Sequence, residues 1–372
     1  MQKIIAITSN TSWYLYNFRK NTILALQKKG YSVTTIAPKD EYSKKLEKLG
    51  CQFIPVNIDA GGTKPLNDIK TFISFLSIYR KIKPVAALNF TPKNNIYSTL
   101  AAWLCRVPCI NNIAGLGILF INESLPSKVA RLLYRFTQPK AKKLFFQNED
   151  DRALFLENKM APAELTDRLP GSGADLSRFK LTAADDDGQI RFLLIARMLY
   201  DKGIQQYVDA ARQLRMKYPE TEFQLLGFLD VDNPSAVSRT SMEQWVAEGV
   251  VNYLGISDAV DKEIAKVDCM VLPSYYREGV PKSLLEAGAM GKPIVTTDNV
   301  GCRETVDDGV NGYLCEPRST EDLVLKLEKI ILMSHEERLA MGRKSREKIE
   351  REFDEKIVIQ KYLDAVAEVI GK

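Results

Sequence analysis

Two glutamates, Glu278 and Glu286, stand eight residues apart in YYREGVPKSLLEAG (275–288), split by a Gly-Val-Pro turn. Two cations, Arg197 and Lys202, stand five apart in IARMLYDKG (195–203). The single histidine, His335, lies in SHEERL, where Ser334 and Glu337 spell a capping box and predict a solvent-exposed first helical turn. Chemistry at the four charged groups therefore has no imidazole to move protons. Pro281 suits the first position of a helix running from Lys282 to Met290 and stopping at Gly291. Amides and the positive dipole end at such a helix start suit a diphosphate. Glu278 would project over that anion, and Glu286, a turn into the helix, would accept hydrogen bonds from a vicinal diol. Arg197 and Lys202 would neutralise charge growing on a departing diphosphate. Gly255 and Ile256 in YLGIS (253–257) end a strand where backbone could read a base edge. Taken singly, each feature also has a plainer meaning: an exposed loop glutamate, a surface helix glutamate, a solvated basic loop, a glycine turn.

Short apolar runs alternating with amphipathic helical patterns supply the frame. KIIAIT, YSVTTIAP, CQFIPV, PVAALNF, VPCINNI and KKLFFQN read as buried strands of a parallel sheet, with helices between them. The rhythm breaks at RLPGSGADLSRFK (168–180), whose glycine, serine and proline mark a hinge, and restarts with IRFLLIAR, FQLLG, VVNYLG, CMVLPS and PIVTTD. This predicts two parallel-sheet α/β domains, 1–168 and 169–354. A last helix, 355–372, returns to the first, and a cleft lies between the carboxyl ends of the two sheets. At 372 residues two cores are the natural expectation. The amino terminus reads as a first strand rather than a signal peptide, and no run reaches the roughly 18 apolar residues of a membrane-spanning helix. Six cysteines without a CxxC pair read as thiols in a reducing compartment, and one histidine makes a zinc site unexpected.

Together ARMLYDKG, YLG, PSYYREGVPKSLLEAGAMGKPIV and NGYLCEP resemble the donor domain of family 4 retaining glycosyltransferases, which have the GT-B fold of two Rossmann-like domains. The likeness runs through the hinge GSGADLSRF to the returning helix. LYNFRK, GLGILF and LLGFLDVDNPSA resemble the branch that extends undecaprenyl-diphosphate-linked sugars, particularly bacterial N-acetylhexosaminyltransferases. The resemblance implies roles. Arg197 and Lys202 would hold the donor diphosphate, and Glu278 would meet the transferred sugar. Gly279, Val280 and Ser283, Leu284, Leu285 would present amides to sugar and phosphate. Glu286 would bind the ribose, with Gly255 and Ile256 at the base. It further implies a UDP-sugar donor carrying GalNAc or GlcNAc, retention of configuration, no metal or other cofactor, and a bacterial surface polysaccharide or glycoprotein glycan as product. In such transfer the acceptor hydroxyl attacks from the leaving-group face and the departing oxygen takes its proton. Many relatives carry a histidine in the first domain near the reacting sugar. Here Asn111 and Asn112, ahead of Gly115 and Gly117, are candidate substitutes, or simply strand-end turn residues.

The charge is lopsided: through residue 167 there are 24 Lys/Arg against 12 Asp/Glu, net +12, and the remainder is net −7. No acid lies between Glu123 and Glu149, while Lys128, Arg131, Arg135, Lys140, Lys142 and Lys143 do. A basic amphipathic helix there would lie on an anionic membrane leaflet, or else pack its apolar face on its own sheet. The aromatic segment TSNTSWYLYNFRK offers Tyr14, Tyr16, Asn17 and Arg19 as a loop receiving a lipid-diphosphate acceptor, or as helix entry with core aromatics. The expected enzyme is cytoplasmic and peripheral on the inner membrane. The rival enzymes are a soluble transferase acting on a non-lipid acceptor and a sugar-nucleotide epimerase of the same fold. A nicotinamide oxidoreductase would need glycines after the first strand, and nucleic-acid motifs are missing.

Overall fold

The computed structural model describes residues 3–59, 65–117 and 125–371. The chain divides into two compact units, Met1–Ser172 with Lys356–Lys372, and Gly173–Glu355. Among the described residues the first unit holds strands β1 (Ile4–Thr8), β2 (Ser32–Ala37), β3 (Gln52–Pro55), β4 (Ala86–Asn89), β5 (Cys109–Ile113), β6 (Lys143–Phe146) and β7 (Thr166–Arg168). They form one parallel sheet in the order β3-β2-β1-β4-β5-β6-β7. The second holds β8 (Ile190–Ile195), β9 (Thr221–Leu226), β10 (Asn252–Tyr253), β11 (Cys269–Leu272), β12 (Ile294–Thr297) and β13 (Gly312–Cys315), in the parallel order β10-β9-β8-β11-β12-β13. Central strands such as β4 and β11 are buried along their whole length, as sheets covered on both faces require.

Each sheet reverses its order beside its first strand, between β1 and β4 and between β8 and β11. Loops leaving two such neighbours diverge to opposite faces and open a crevice at the strands' carboxyl ends. From Lys356 on, the helix Glu355–Gly371 belongs to the first unit, where Tyr362 meets Phe90 and Phe145 edge-on at 5.6 and 5.2 Å between ring centroids.

Three local expectations change. The aromatic segment after β1 is not a loop: Thr11 caps the amide of Tyr14, and a helix runs over Ser12–Lys28. Pro281 precedes its helix rather than opening it, because its ψ of 119° is extended; the helix spans Lys282–Ala289. His335 sits in the capping-box turn, but its side chain is only 16% exposed, packed with Asp268, Lys292 and Arg338 around a small cavity. All six cysteines are free thiols.

Candidate active site

The reversal point of the second unit brings two loops together. After β8 the chain is anchored by buried Met198 and Leu199, and Tyr200–Lys202 form one tight turn. Gly203 follows with φ of +76°, so close to the other loop that a Cβ would lie 2.1 Å from the Pro273 carbonyl oxygen. Only glycine permits this approach. The loop after β11 is tied to it through the Asp201 carbonyl, which accepts the amides of Tyr275 and Tyr276 at 3.0 Å each. From the far side the Asn299 amide donates to the Tyr276 carbonyl at 2.9 Å. Gly301, φ +81°, passes so near Gly279 that a Cβ would meet its carbonyl oxygen at 1.6 Å. The turn carrying Glu278 is thus fixed from three sides.

Within that frame Lys202 Nζ forms an ion pair with Glu278 Oε1, each side chain 12% exposed. Ser274 Oγ donates to the same carboxylate oxygen at 2.9 Å, and the Lys202 ammonium lies 4.8 Å from the Tyr276 ring centroid. The pair is therefore oriented at the crevice rather than loose in solvent. Arg197 is exposed on the same loop and makes no ion pair among the described residues. Glu286, one turn into Lys282–Ala289, is also 12% exposed, 3.7 Å from Lys282 Nζ. Burial raises its pKa above the usual carboxylate value, with Lys282 and Arg178 pulling the other way. Arg178 is itself held by Asp261 at 2.8 Å. Ser283 is half-buried, whereas Leu284 and Leu285 are core residues with 0% exposure, and their amides return to the Pro281 carbonyl at 3.2 and 3.3 Å. Both leucines anchor the helix, as buried Val280 anchors the turn. The Gly255 carbonyl accepts the Gly227 amide at 2.7 Å, joining the ends of β9 and β10, and Ile256 beside it is 63% exposed. Ser274, Tyr276, Asn299 and Arg178 escaped the sequence reading. Ser274, a polar residue directly after an apolar strand, was the one detectable signal.

The first unit treats its candidates differently. Asn111 is fully buried in β5: its Nδ2 donates to Thr99 and Gln138 at 2.9 and 2.7 Å, and its Oδ1 accepts from Asn89 at 2.8 Å. It stands inside an amide ladder that occupies its side-chain polar atoms. Asn112, 1% exposed, has neither side-chain polar atom bonded. Gly115 and Gly117 beyond it take φ of +99° and +56°. Arg19 is 1% exposed, its helix position facing the sheet rather than solvent. Its guanidinium lies 4.4 Å from the Phe90 ring centroid, donates to the Tyr14 hydroxyl at 2.9 Å and to Ser172 at 3.3 Å, and meets no carboxylate among the described residues. Tyr14 stacks on Phe18, Tyr16 packs near Tyr42, and the Asn17 side chain returns to the Trp13 carbonyl, which makes all three helix-surface groups. Of the basic set only Lys128, Arg131 and Arg135 ride a helix, Leu125–Thr137. Lys140 ends a short 3-10 turn, Lys142 follows it, and Lys143 opens β6. That helix packs Leu133 and Tyr134 on the core of the first unit and turns Leu125, Val129, Leu132 and Phe136 to solvent. The GLGILF segment lies outside the described residues beyond Gly117, and so does Glu123.

A family model described as "Glycosyl transferases group 1" matches residues 177–348, and one described as "Glycosyl transferase 4-like" matches residues 3–148. The chain thus carries a glycosyl transferase 4-like domain followed by a group 1 glycosyl transferase domain. Among this glycosyltransferase's relatives is a Campylobacter jejuni protein, the N,N'-diacetylbacillosaminyl-diphospho-undecaprenol alpha-1,3-N-acetylgalactosaminyltransferase. It is 28% identical over 98% of this chain and 99% of its own. The Escherichia coli UDP-Gal:alpha-D-GlcNAc-diphosphoundecaprenol alpha-1,3-galactosyltransferase is 23% identical over 71% of each chain. Solved structures agree on the fold, GT-B. A glycosyltransferase from Rickettsia africae aligns with a TM-score of 0.79 at 16% identity over 99% of both chains. Anabaena HepE, in complex with UDP and glucose, aligns at 0.78 with 17% identity over 99% of this chain and 100% of that one.

Proposed function

We propose that this glycosyltransferase moves an N-acetylhexosamine, GalNAc or GlcNAc, from a UDP-sugar to an undecaprenyl-diphosphate-linked saccharide, with retention and without a metal, in bacterial surface-glycan assembly. The observation that carries the reading is the oriented Lys202–Glu278 pair at the reversal point between β8 and β11. An ammonium has three donors, so Lys202 can hold Glu278 and still donate to a diphosphate oxygen. With exposed Arg197 it supplies fixed positive charge where the leaving group gains negative charge, the part a metal plays elsewhere. The start of the helix Lys282–Ala289 adds its dipole. Glu278 is positioned for hydroxyls of the transferred sugar, and Glu286 for the ribose diol. The acceptor hydroxyl attacks on the leaving-group face and passes its proton to the departing diphosphate oxygen. No imidazole is needed for that step.

The substrates are supported by relatives whose names specify diphospho-undecaprenol-linked acceptors, one of them transferring N-acetylgalactosamine. No helix among the described residues is long and apolar enough to cross a membrane. The basic first half would hold the enzyme on the anionic cytoplasmic leaflet, at about 1 kcal/mol per nearby cation. The test is a donor screen with UDP-GalNAc and UDP-GlcNAc against a polyprenyl-diphosphate-linked saccharide, with EDTA present and product anomers assigned by NMR. Turnover that needs added manganese would remove the metal-free step, and an inverted anomer the retaining one. Equal use of the free saccharide would make the enzyme a soluble transferase.

A further inference from the structure

The segment FLDVDNPSA (228–236) follows β9 and folds back on the loop that carries Arg197 and Lys202. Asparagine, proline and serine at the first three corners suit a type I turn. Asn233 closes that turn twice: its carbonyl accepts the Ala236 amide at 3.0 Å, and its Oδ1 accepts the Ser235 amide at 2.8 Å. The returning chain then pairs with the loop after β8. The Met198 amide donates to the Phe228 carbonyl at 2.8 Å and the Val237 amide to the Met198 carbonyl at 2.9 Å, while Leu199 and Ala236 form an antiparallel bridge. Ser235 reaches the turn of the site itself. The 3-10 turn Tyr200–Lys202 begins with two amides that its own carbonyls do not satisfy. The Ser235 carbonyl accepts the first, from Tyr200, at 2.7 Å, and the Ser235 hydroxyl accepts the second, from Asp201, at 3.1 Å. Asp201 is thus held at both backbone groups, because its carbonyl takes the amides of Tyr275 and Tyr276. Lys202 is the next residue along one arm of this junction, and Glu278 lies two beyond Tyr276 on the other.

We infer that Ser235 is a positioning residue for sugar transfer, fixing the turn through Asp201 and so aiming the Lys202 ammonium at the leaving diphosphate. The inference rests on the diphosphate role proposed above for Lys202, and it adds what holds that side chain in place. A lysine ammonium rides on a flexible four-carbon stem, so its aim depends on where the backbone starts it. Misplacement by about 1 Å at such a group can cost on the order of a hundredfold in rate. Removing the Ser235 hydroxyl leaves its carbonyl on Tyr200 and frees only the Asp201 amide, so the shift is smaller. Ser235 and Asp201 are half-buried, and water can take the freed amide without loss of the fold.

The experiment compares full-length wild type, Ser235→Ala, Ser235→Thr, Lys202→Ala and the double variant Lys202→Ala with Ser235→Ala. UDP is the binding probe, because its terminal phosphate carries the charge that the leaving group acquires, and calorimetry with UDP needs no acceptor. Ser235→Ala is expected to raise the UDP Kd about fivefold and to lower kcat about tenfold, with the donor KM within about twofold. Its urea midpoint should match wild type. Ser235→Thr keeps the hydroxyl and should restore both Kd and kcat. In the Lys202→Ala background the serine change should cost nothing further, since groups that act as a unit are not additive. Hydrogen exchange at the Asp201 amide should quicken in Ser235→Ala and not in Ser235→Thr. Equal losses with and without Lys202, or a wild-type Kd and kcat in Ser235→Ala, overturn the inference while leaving the proposed reaction intact. A wild type that binds no UDP, or a Lys202→Ala variant with wild-type affinity and rate, strikes the donor reading itself and takes the inference with it.

Discussion

The two sheets reverse strand order at equivalent places, yet they are stocked with opposite chemistry. At the β8/β11 point the side chains are ionic and partly wet: Lys202 against Glu278, with Arg197 in solvent. At the β1/β4 point the strand-end side chains are neutral and dry. Thr8 donates to Asn89 at 2.8 Å, Asn89 to Asn111 at 2.8 Å, and Asn111 to Gln138 at 2.7 Å, all fully buried. One crevice keeps charge available for an ionic ligand, while the other spends its polar groups on joining strand ends. Topology alone therefore does not make a site; unspent charge at the reversal point does.

The largest effect should come from the ionic side. Lys202→Ala is expected to lower kcat on the order of 10²–10³ with little change in unfolding midpoint, measured by nucleotide release and urea titration. A wild-type kcat would take Lys202 out of the diphosphate site. Asn111→Leu should show the reverse pattern. It leaves Asn89, Thr99 and Gln138 with broken bonds in a dry interior, costing about 3 kcal/mol of stability, while kcat per folded molecule holds. A stable but inactive Asn111→Leu would collapse the contrast.

Charge inside the second unit should also give it a response of its own to alkaline pH. Lys292 is 2% exposed, donates to the Ala265 carbonyl at 3.1 Å, and burial lowers its pKa to about 8, with Asp268 opposing. Between about 8 and the ordinary value near 10.5 the unfolded chain holds a proton that the folded chain has released. Stability from this group therefore rises with pH across that window, by about 3 kcal/mol. Denaturation of wild type and Lys292→Met from pH 7 to 10.5 should give curves that converge as pH increases. Parallel curves would show that Lys292 stays charged.

The frame was readable because parallel strands buried on both faces leave short apolar runs, and glycine-containing breaks separate them; IRFLLI and CMVL are strands as read. The ionic groups were readable because charged residues directly after such runs fall at a sheet's carboxyl end. Glu278 and Lys202 are brought together there, from 76 residues apart. The first unit's candidates were harder, since burial depends on which face of a helix or strand turns inward. A one-letter string shows Asn111 as a polar strand end and Arg19 as a cation among aromatics, but it does not show that β4 and the returning helix close over them. A basic amphipathic helix between Glu123 and Glu149 was legible as a pattern, and only packing told that Leu133 and Tyr134 face the core while Leu132 and Phe136 face solvent.

The smallest expected effect is the most diagnostic of the neutral side. Arg19 is a buried cation without a carboxylate, with Nε and Nη1 unbonded. Its compensation is the Phe90 face at 4.4 Å, two further rings at 5.6 and 5.7 Å from Tyr14 and Tyr362, and two hydroxyl acceptors. A weakly hydrated guanidinium tolerates such a cage better than an ammonium would. The cage nevertheless returns little more than desolvation costs, so an apolar side chain of similar length should serve as well. Arg19→Met is expected to change stability by under about 1 kcal/mol in either direction and to leave kcat and the acceptor KM as they are. Arg19→Lys should do worse, since a compact ammonium desolvates at greater cost and reaches Tyr14 poorly. Should Arg19→Met keep its fold but raise the acceptor KM tenfold, Arg19 would be a ligand group after all. The first unit would then hold unspent charge of its own, and the contrast between the two reversal points would fail.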